Sequence, residues 1–193
     1  MFIRNWKKEI FTIPNLLSLF RLFLIPVYVE LYLHAQTARD YALSAGILAI
    51  SCLTDMVDGK IARNFNMISR VGKILDPLAD KITQLVLILC LSVKYSLLYP
   101  VLALFLTKEI FQLLAVIIHY RKGKALPGAL MAGKLCTTVL FVSLTVLVLF
   151  PSLNPIAVDI LVLADAVFLL YSFVSYIQAY YGKNRKIQDL ESE

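Results

Sequence analysis

DMVDGKIARNFNMISRVGKILDPLAD, residues 55–80, gathers Asp55, Asp58, Asp76 and Asp80 into one short stretch, with Arg63, Arg70 and Lys73 between the two pairs. The stretch stands out because its surroundings are so apolar. Hydrophobic residues make up 60% of the 193-residue chain, and its mean hydropathy is +0.77; a soluble domain carries roughly 45–50% apolar residues. Apolar runs close to the ~20 residues that cross a bilayer core recur along the chain and leave no room for a separate soluble domain. The expected architecture is all-α, a polytopic bundle of six transmembrane helices at about 13–34, 41–63, 73–94, 97–119, 133–151 and 155–181. Helices are favoured over a barrel because segments such as ITQLVLILCLSV are continuously apolar instead of alternating.

The ends complete this organisation. Residues 1–12 carry Trp6 and two phenylalanines beside Arg4, Lys7 and Lys8, the composition of a short interfacial helix, and no small-residue cleavage site of a signal peptide follows them. Residues 13–181 form the membrane domain, and residues 182–193 a polar tail. Basic residues cluster before the first span, around the second and fourth connections and in the tail, whereas the opposite side holds little beyond Arg39 and Lys94. Because Lys and Arg are retained on the cytoplasmic side, both termini and the aspartate-rich stretch are expected there. The net charge of +6 is therefore read as a membrane face meeting anionic lipid, with no nucleic-acid partner. Cys52, Cys90 and Cys136 lie unpatterned within apolar runs, which supports neither a disulfide framework nor a zinc site.

Asp55 and Asp58 are spaced i, i+3 on one helix and Asp76 and Asp80 i, i+4 on the next, so each pair projects from one face. Four carboxylates brought together near a membrane need compensating positive charge. Divalent cations supply it, and oxygen-only ligation points to Mg²⁺ or Mn²⁺. Gly59 and Ala62 share the face of Asp55 and Asp58 and leave a shelf without bulky side chains, with Arg63 one position further for phosphate oxygens. Carboxylates, two metal ions and arginine together indicate phosphoryl-type chemistry. The bland alternative, solvated helix-end residues with Asp76 and Asp80 pairing Lys73 and Lys81, suits one aspartate better than it suits four around a glycine and an arginine.

Written as a pattern, the stretch is D-x2-D-G-x2-A-R-x8-G-x3-D-x3-D, carried by Asp55, Asp58, Gly59, Ala62, Arg63, Gly72, Asp76 and Asp80. This resembles the signature of the CDP-alcohol phosphotransferase family at every fixed position and spacing. Further similarity lies in IPNLLSLFR at 13–21, GKILDPLADK at 72–81 and AGKLCT at 132–137, and the branch it most resembles makes phosphatidylglycerophosphate. The resemblance implies six transmembrane helices, a cytoplasmic-facing site in a bacterial cell membrane, and a homodimer. It also implies transfer of the phosphatidyl group of CDP-diacylglycerol to glycerol 3-phosphate, with release of CMP. Carried over by position, Asp55, Asp58 and Asp76 would be metal ligands, and Asp80 would complete the second metal site and act as base. Gly59, Ala62, Gly72 and Asn15 would receive the cytidine nucleotide, and Arg63 its phosphates.

The acceptor phosphate requires cations, for which Lys134, Arg121, Lys108 and Arg21, with Thr137 beside Lys134, are the candidates. The chain departs from that branch at Lys108, where arginine is common, at Cys136, where a basic residue is frequent, and at Ser18, where threonine is common. A lipid acceptor, phosphatidylglycerol, would make the product cardiolipin instead. An intramembrane prenyltransferase would carry two separated aspartate-rich regions, and only one is present. A cation transporter would carry carboxylates at several depths, whereas Glu109, Asp159 and Asp165 form no evident track with the cluster.

Overall fold

The computed structural model describes residues 13–64, 72–122 and 130–181. Six helices account for nearly all of them: α1 (Ile13–Leu33), α2 (Ala38–Asn64), α3 (Gly72–Lys94), α4 (Leu98–Arg121), α5 (Met131–Leu149) and α6 (Pro155–Tyr181). No strand occurs among the described residues. The interfacial segment expected at 1–12 and the tail at 182–193 lie outside them.

Local chemistry explains several helix starts. Thr37 caps α2 in a reciprocal box: the Thr37 and Gln36 backbone N–H groups donate to Asp40 Oδ2 at 2.8 and 3.1 Å, and the Asp40 N–H donates to Thr37 Oγ1 at 3.3 Å. These bonds, that of Thr37 first, hold the Asp40 carboxyl below its ordinary value of 3.8. At α6, Asn154 Oδ1 accepts from the Ile156 N–H at 3.0 Å, and Pro155 opens the helix where no N–H is needed.

Among the described residues, four segments are long and apolar enough to cross a membrane: Asn15–Leu33, Leu98–Arg121, Met131–Leu149 and Pro155–Tyr181. At ~1.5 Å per residue the 19 residues of α5 span roughly the hydrocarbon thickness. In the other two helices charge shortens the uncharged run. The charged residues from Asp55 onward occupy one end of α2, and Asp76, Asp80, Lys81 and Lys94 confine the uncharged run of α3 to 82–93. On α4 and α6 the outward residues are themselves apolar, among them Ile110, Leu113, Ile117, Ile160, Leu163, Val167 and Val174. Such stripes are tolerable against lipid and not against water.

The chain forms two compact units, residues 1–90 with 148–151, and residues 91–147 with 152–193. In the first, α1 packs along α2. One stripe of α1 is buried at helical spacing, polar at Asn15, Ser18 and Arg21 and then apolar or aromatic at Leu24, Tyr28 and Tyr32. Tyr32 stacks on Tyr28 at 5.6 Å and meets Tyr41 of α2 edge-on at 5.7 Å. A small, partly open apolar cleft lies between Leu24 and Tyr28 of α1, Leu48 and Ser51 of α2, and Thr83 and Leu87 of α3. In the second unit α4 packs along α6, and Ala115, Tyr176 and Tyr180 form a core flanked by Phe111, Val116 and Leu130.

Candidate active site

The polar half of the α1 stripe meets the aspartates of α3. Ser18 Oγ donates to Asp76 Oδ1 at 2.5 Å, and the Arg21 guanidinium forms an ion pair with Asp80 Oδ1. Residues three apart on one helix thus engage residues four apart on the other, the spacing that puts each pair on one face. Burial is unequal, since the Arg21 side chain is 3% exposed and that of Asp80 46%. Asn15 and Gly72, expected at the nucleotide, are buried at the starts of α1 and α3.

Asp55, Asp58, Gly59, Ala62 and Arg63 belong to α2, with side chains outside the described residues. Among the described residues no group of three or more His, Cys, Asp or Glu stands together. The donors that are described are hard carboxylate oxygens on one helical face, and each carboxylate can accept at about four positions, so engagement at Oδ1 leaves capacity for more. This donor set fits a hard divalent cation and would suit a thiolate- or imidazole-preferring metal poorly.

The residues expected at the acceptor phosphate, other than Arg21, belong to the second unit. Lys108 is buried, with Nζ 2.7 Å from Glu109 Oε1 and 6.0 Å from the centre of the Tyr176 ring. Arg121 ends α4 in an exposed position, and Lys134 is exposed on the first turn of α5. Thr137 Oγ1 donates to the Gly133 carbonyl at 2.9 Å, so its hydroxyl hydrogen is used within the helix. His119 is also buried, its Nδ1–H donating to the Ala115 carbonyl at 2.8 Å and its ring 5.1 Å from that of Tyr180.

Two features were not anticipated from sequence. Ser18 was visible only as a departure at a threonine position, although its i, i+3 spacing from Arg21 was a usable signal. Tyr176, which seals Lys108 and packs on Gly133, carried no signal beyond its place on the buried stripe of α6.

The described residues thus form helices, several of them apolar and of bilayer length, with Asp76 and Asp80 paired near the start of α3. A model of the CDP-alcohol phosphatidyltransferase family matches residues 11–177, and the chain belongs to that family. A cardiolipin synthase (CMP-forming)/mitochondrial hydrolase fusion protein of Schizosaccharomyces pombe is 37% identical over 127 residues, 65% of this chain and 20% of that protein. The cardiolipin synthase (CMP-forming) of Rattus norvegicus is 40% identical over 117 residues, 60% of this chain and 37% of the relative. The CDP-diacylglycerol–glycerol-3-phosphate 3-phosphatidyltransferase of Shigella flexneri is 32% identical over 178 residues, 88% of this chain and 94% of the relative. The chain thus spans a fifth and 37% of the first two relatives and nearly the whole of the third.

Proposed function

We propose that this chain is an integral membrane phosphatidyltransferase that moves the phosphatidyl group of CDP-diacylglycerol to glycerol 3-phosphate. The reading is carried by one coincidence: a chain of this family bears the complete eight-residue signature, and its Asp76 and Asp80 share a face of α3 against Ser18 and Arg21. Residues 13–181 form the transferase domain. α2 and α3 complete six crossings, their charged ends reaching the cytoplasmic interface; residues 1–12 lie along that interface, and both termini are cytoplasmic.

Asp55, Asp58, Asp76 and Asp80 hold two Mg²⁺ or Mn²⁺ ions, which when bound neutralise phosphate charge and acidify a nearby hydroxyl. Gly59, Ala62, Gly72 and Asn15 accommodate the cytidine nucleotide, and Arg63 bonds its phosphate oxygens. The acceptor hydroxyl oxygen attacks the phosphorus that carries diacylglycerol, the bond from that phosphorus to CMP breaks, and Asp80 takes the hydroxyl proton. A carboxylate beside cations is a weak base, so Asp80 receives a proton already made labile. Lys134 and Arg121 supply the acceptor's phosphate field.

The second reading, phosphatidylglycerol as acceptor, is favoured by the higher identity to cardiolipin synthases, over a shorter part of the chain. The first is favoured by the match over nearly the whole Shigella enzyme. Purified protein given CDP-diacylglycerol, Mn²⁺ and each acceptor in turn decides between them. CMP release with glycerol 3-phosphate, abolished by Asp80→Asn, supports the first. Release only with phosphatidylglycerol supports the second, and release with no alcohol rejects both.

A further inference from the structure

One turn of α1 meets one turn of α3 through two bonds that both end on an aspartate Oδ1. Ser18 is fully buried and Arg21 is 2% exposed. A buried guanidinium cannot shed its charge and is held by its packing, so in the pair with Asp80 the arginine is the fixed partner and the half-exposed carboxylate is the oriented one. Resting on the divalent-cation reading above, we propose that Ser18 and Arg21 are positioning residues: they hold Oδ1 of Asp76 and Asp80 from the α1 side and so fix the direction in which each carboxylate meets the cation. This gives Arg21 a task other than binding acceptor phosphate. Neither residue touches the reacting atoms. Outer hydrogen-bond partners of this kind typically control metal affinity by 10–100-fold, because a ligand free to rotate must be ordered when the metal binds.

Two charge-conserving substitutions isolate orientation from electrostatics. Ser18→Ala removes the hydroxyl, and Arg21→Lys keeps the positive charge while losing the planar fork. Mn²⁺ binding is measured on the full-length protein in lipid nanodiscs by electron paramagnetic resonance of the free ion, with no lipid substrate and no turnover. Each variant is expected to bind Mn²⁺ about 10-fold or more weakly, and Ser18→Thr, which restores the hydroxyl, to bind as the wild type does. Unchanged Mn²⁺ affinity in both folded variants, even with lowered thermal stability, makes the contacts purely structural and overturns the proposal while the cation site stands. Wild-type protein that binds no Mn²⁺ overturns both.

Discussion

The Tyr176 hydroxyl oxygen lies 2.6 Å from the point that a Cβ on Gly133 would occupy, and two ring carbons of the same side chain lie at 3.1 and 3.2 Å. Only a residue without a side chain admits the tyrosine of α6 so close to the start of α5. Tyr176 is 7% exposed and borders Lys108 and Tyr180, so its ring has little room to retreat. Gly133→Ala is expected to destabilise the protein by about 1–3 kcal/mol, the usual cost of overpacking, read as a lower thermal unfolding midpoint in detergent. Adding Tyr176→Phe removes the nearest atom but leaves the ring carbons, so the double variant should regain part of the loss. No recovery would show that the hydroxyl is not what the new methyl meets.

Lys134 follows Gly133 but is exposed, so its removal tests chemistry more than packing. Lys134→Ala is expected to change stability by no more than about 0.5 kcal/mol. It should raise KM for glycerol 3-phosphate about 10-fold or more, the loss of one charge-assisted hydrogen bond of about 1.5–3 kcal/mol. KM for CDP-diacylglycerol should move far less. Equal loss toward both substrates would assign Lys134 to neither site specifically.

The helices were legible because long apolar runs in lipid leave the backbone no other way to satisfy its N–H and C=O groups. The helix expected at 73–94 is found as Gly72–Lys94, and the one at 155–181 as Pro155–Tyr181. Tertiary partners were not legible. Spacing put Asp76 and Asp80 on one face, but nothing in periodicity names Ser18 and Arg21, 58 and 59 positions away, as the groups that meet them. Arg21 read as a phosphate ligand for the same reason, since a cation in an apolar helix advertises a charge and not its partner. Lys108 likewise read as a phosphate candidate. Burial against Glu109, its neighbour in sequence, is a pairing that helical spacing alone does not favour.

Asp40 provides a pH test outside the membrane. Its carboxyl lies below 3.8 because backbone N–H groups of Thr37 and then Gln36 bond to the ionised form. The sign follows from linkage: a carboxyl with a depressed folded-state value contributes stability above its unfolded value, and the contribution is lost as pH falls through the folded one. Wild-type protein should therefore be more stable than Asp40→Ala at neutral pH, and the gap should close below about pH 4. Thermal unfolding across pH 3–7 checks this. A gap independent of pH would mean that the carboxylate charge plays no part in capping α2.

Asp165, fully buried on α6, is joined to α5 by Ser143, whose hydroxyl lies 2.6 and 2.5 Å from its two carboxylate oxygens and 3.1 Å from the Leu140 carbonyl. An acid inside an apolar helix is a functional candidate by default, but this bond gives it a structural task, tying two helices where hydrocarbon offers no hydrophobic drive to associate. The two partners are not equivalent. Ser143→Ala strands the buried carboxyl and should cost about 1–3 kcal/mol or more, whereas the change of both residues in Ser143→Ala/Asp165→Leu leaves no polar atom unpaired and should cost less than that single change. Thermal unfolding of the two variants measures the difference, and CMP release by the double variant measures function. A double variant that is as stable as expected but inactive would move Asp165 from the scaffold into the chemistry.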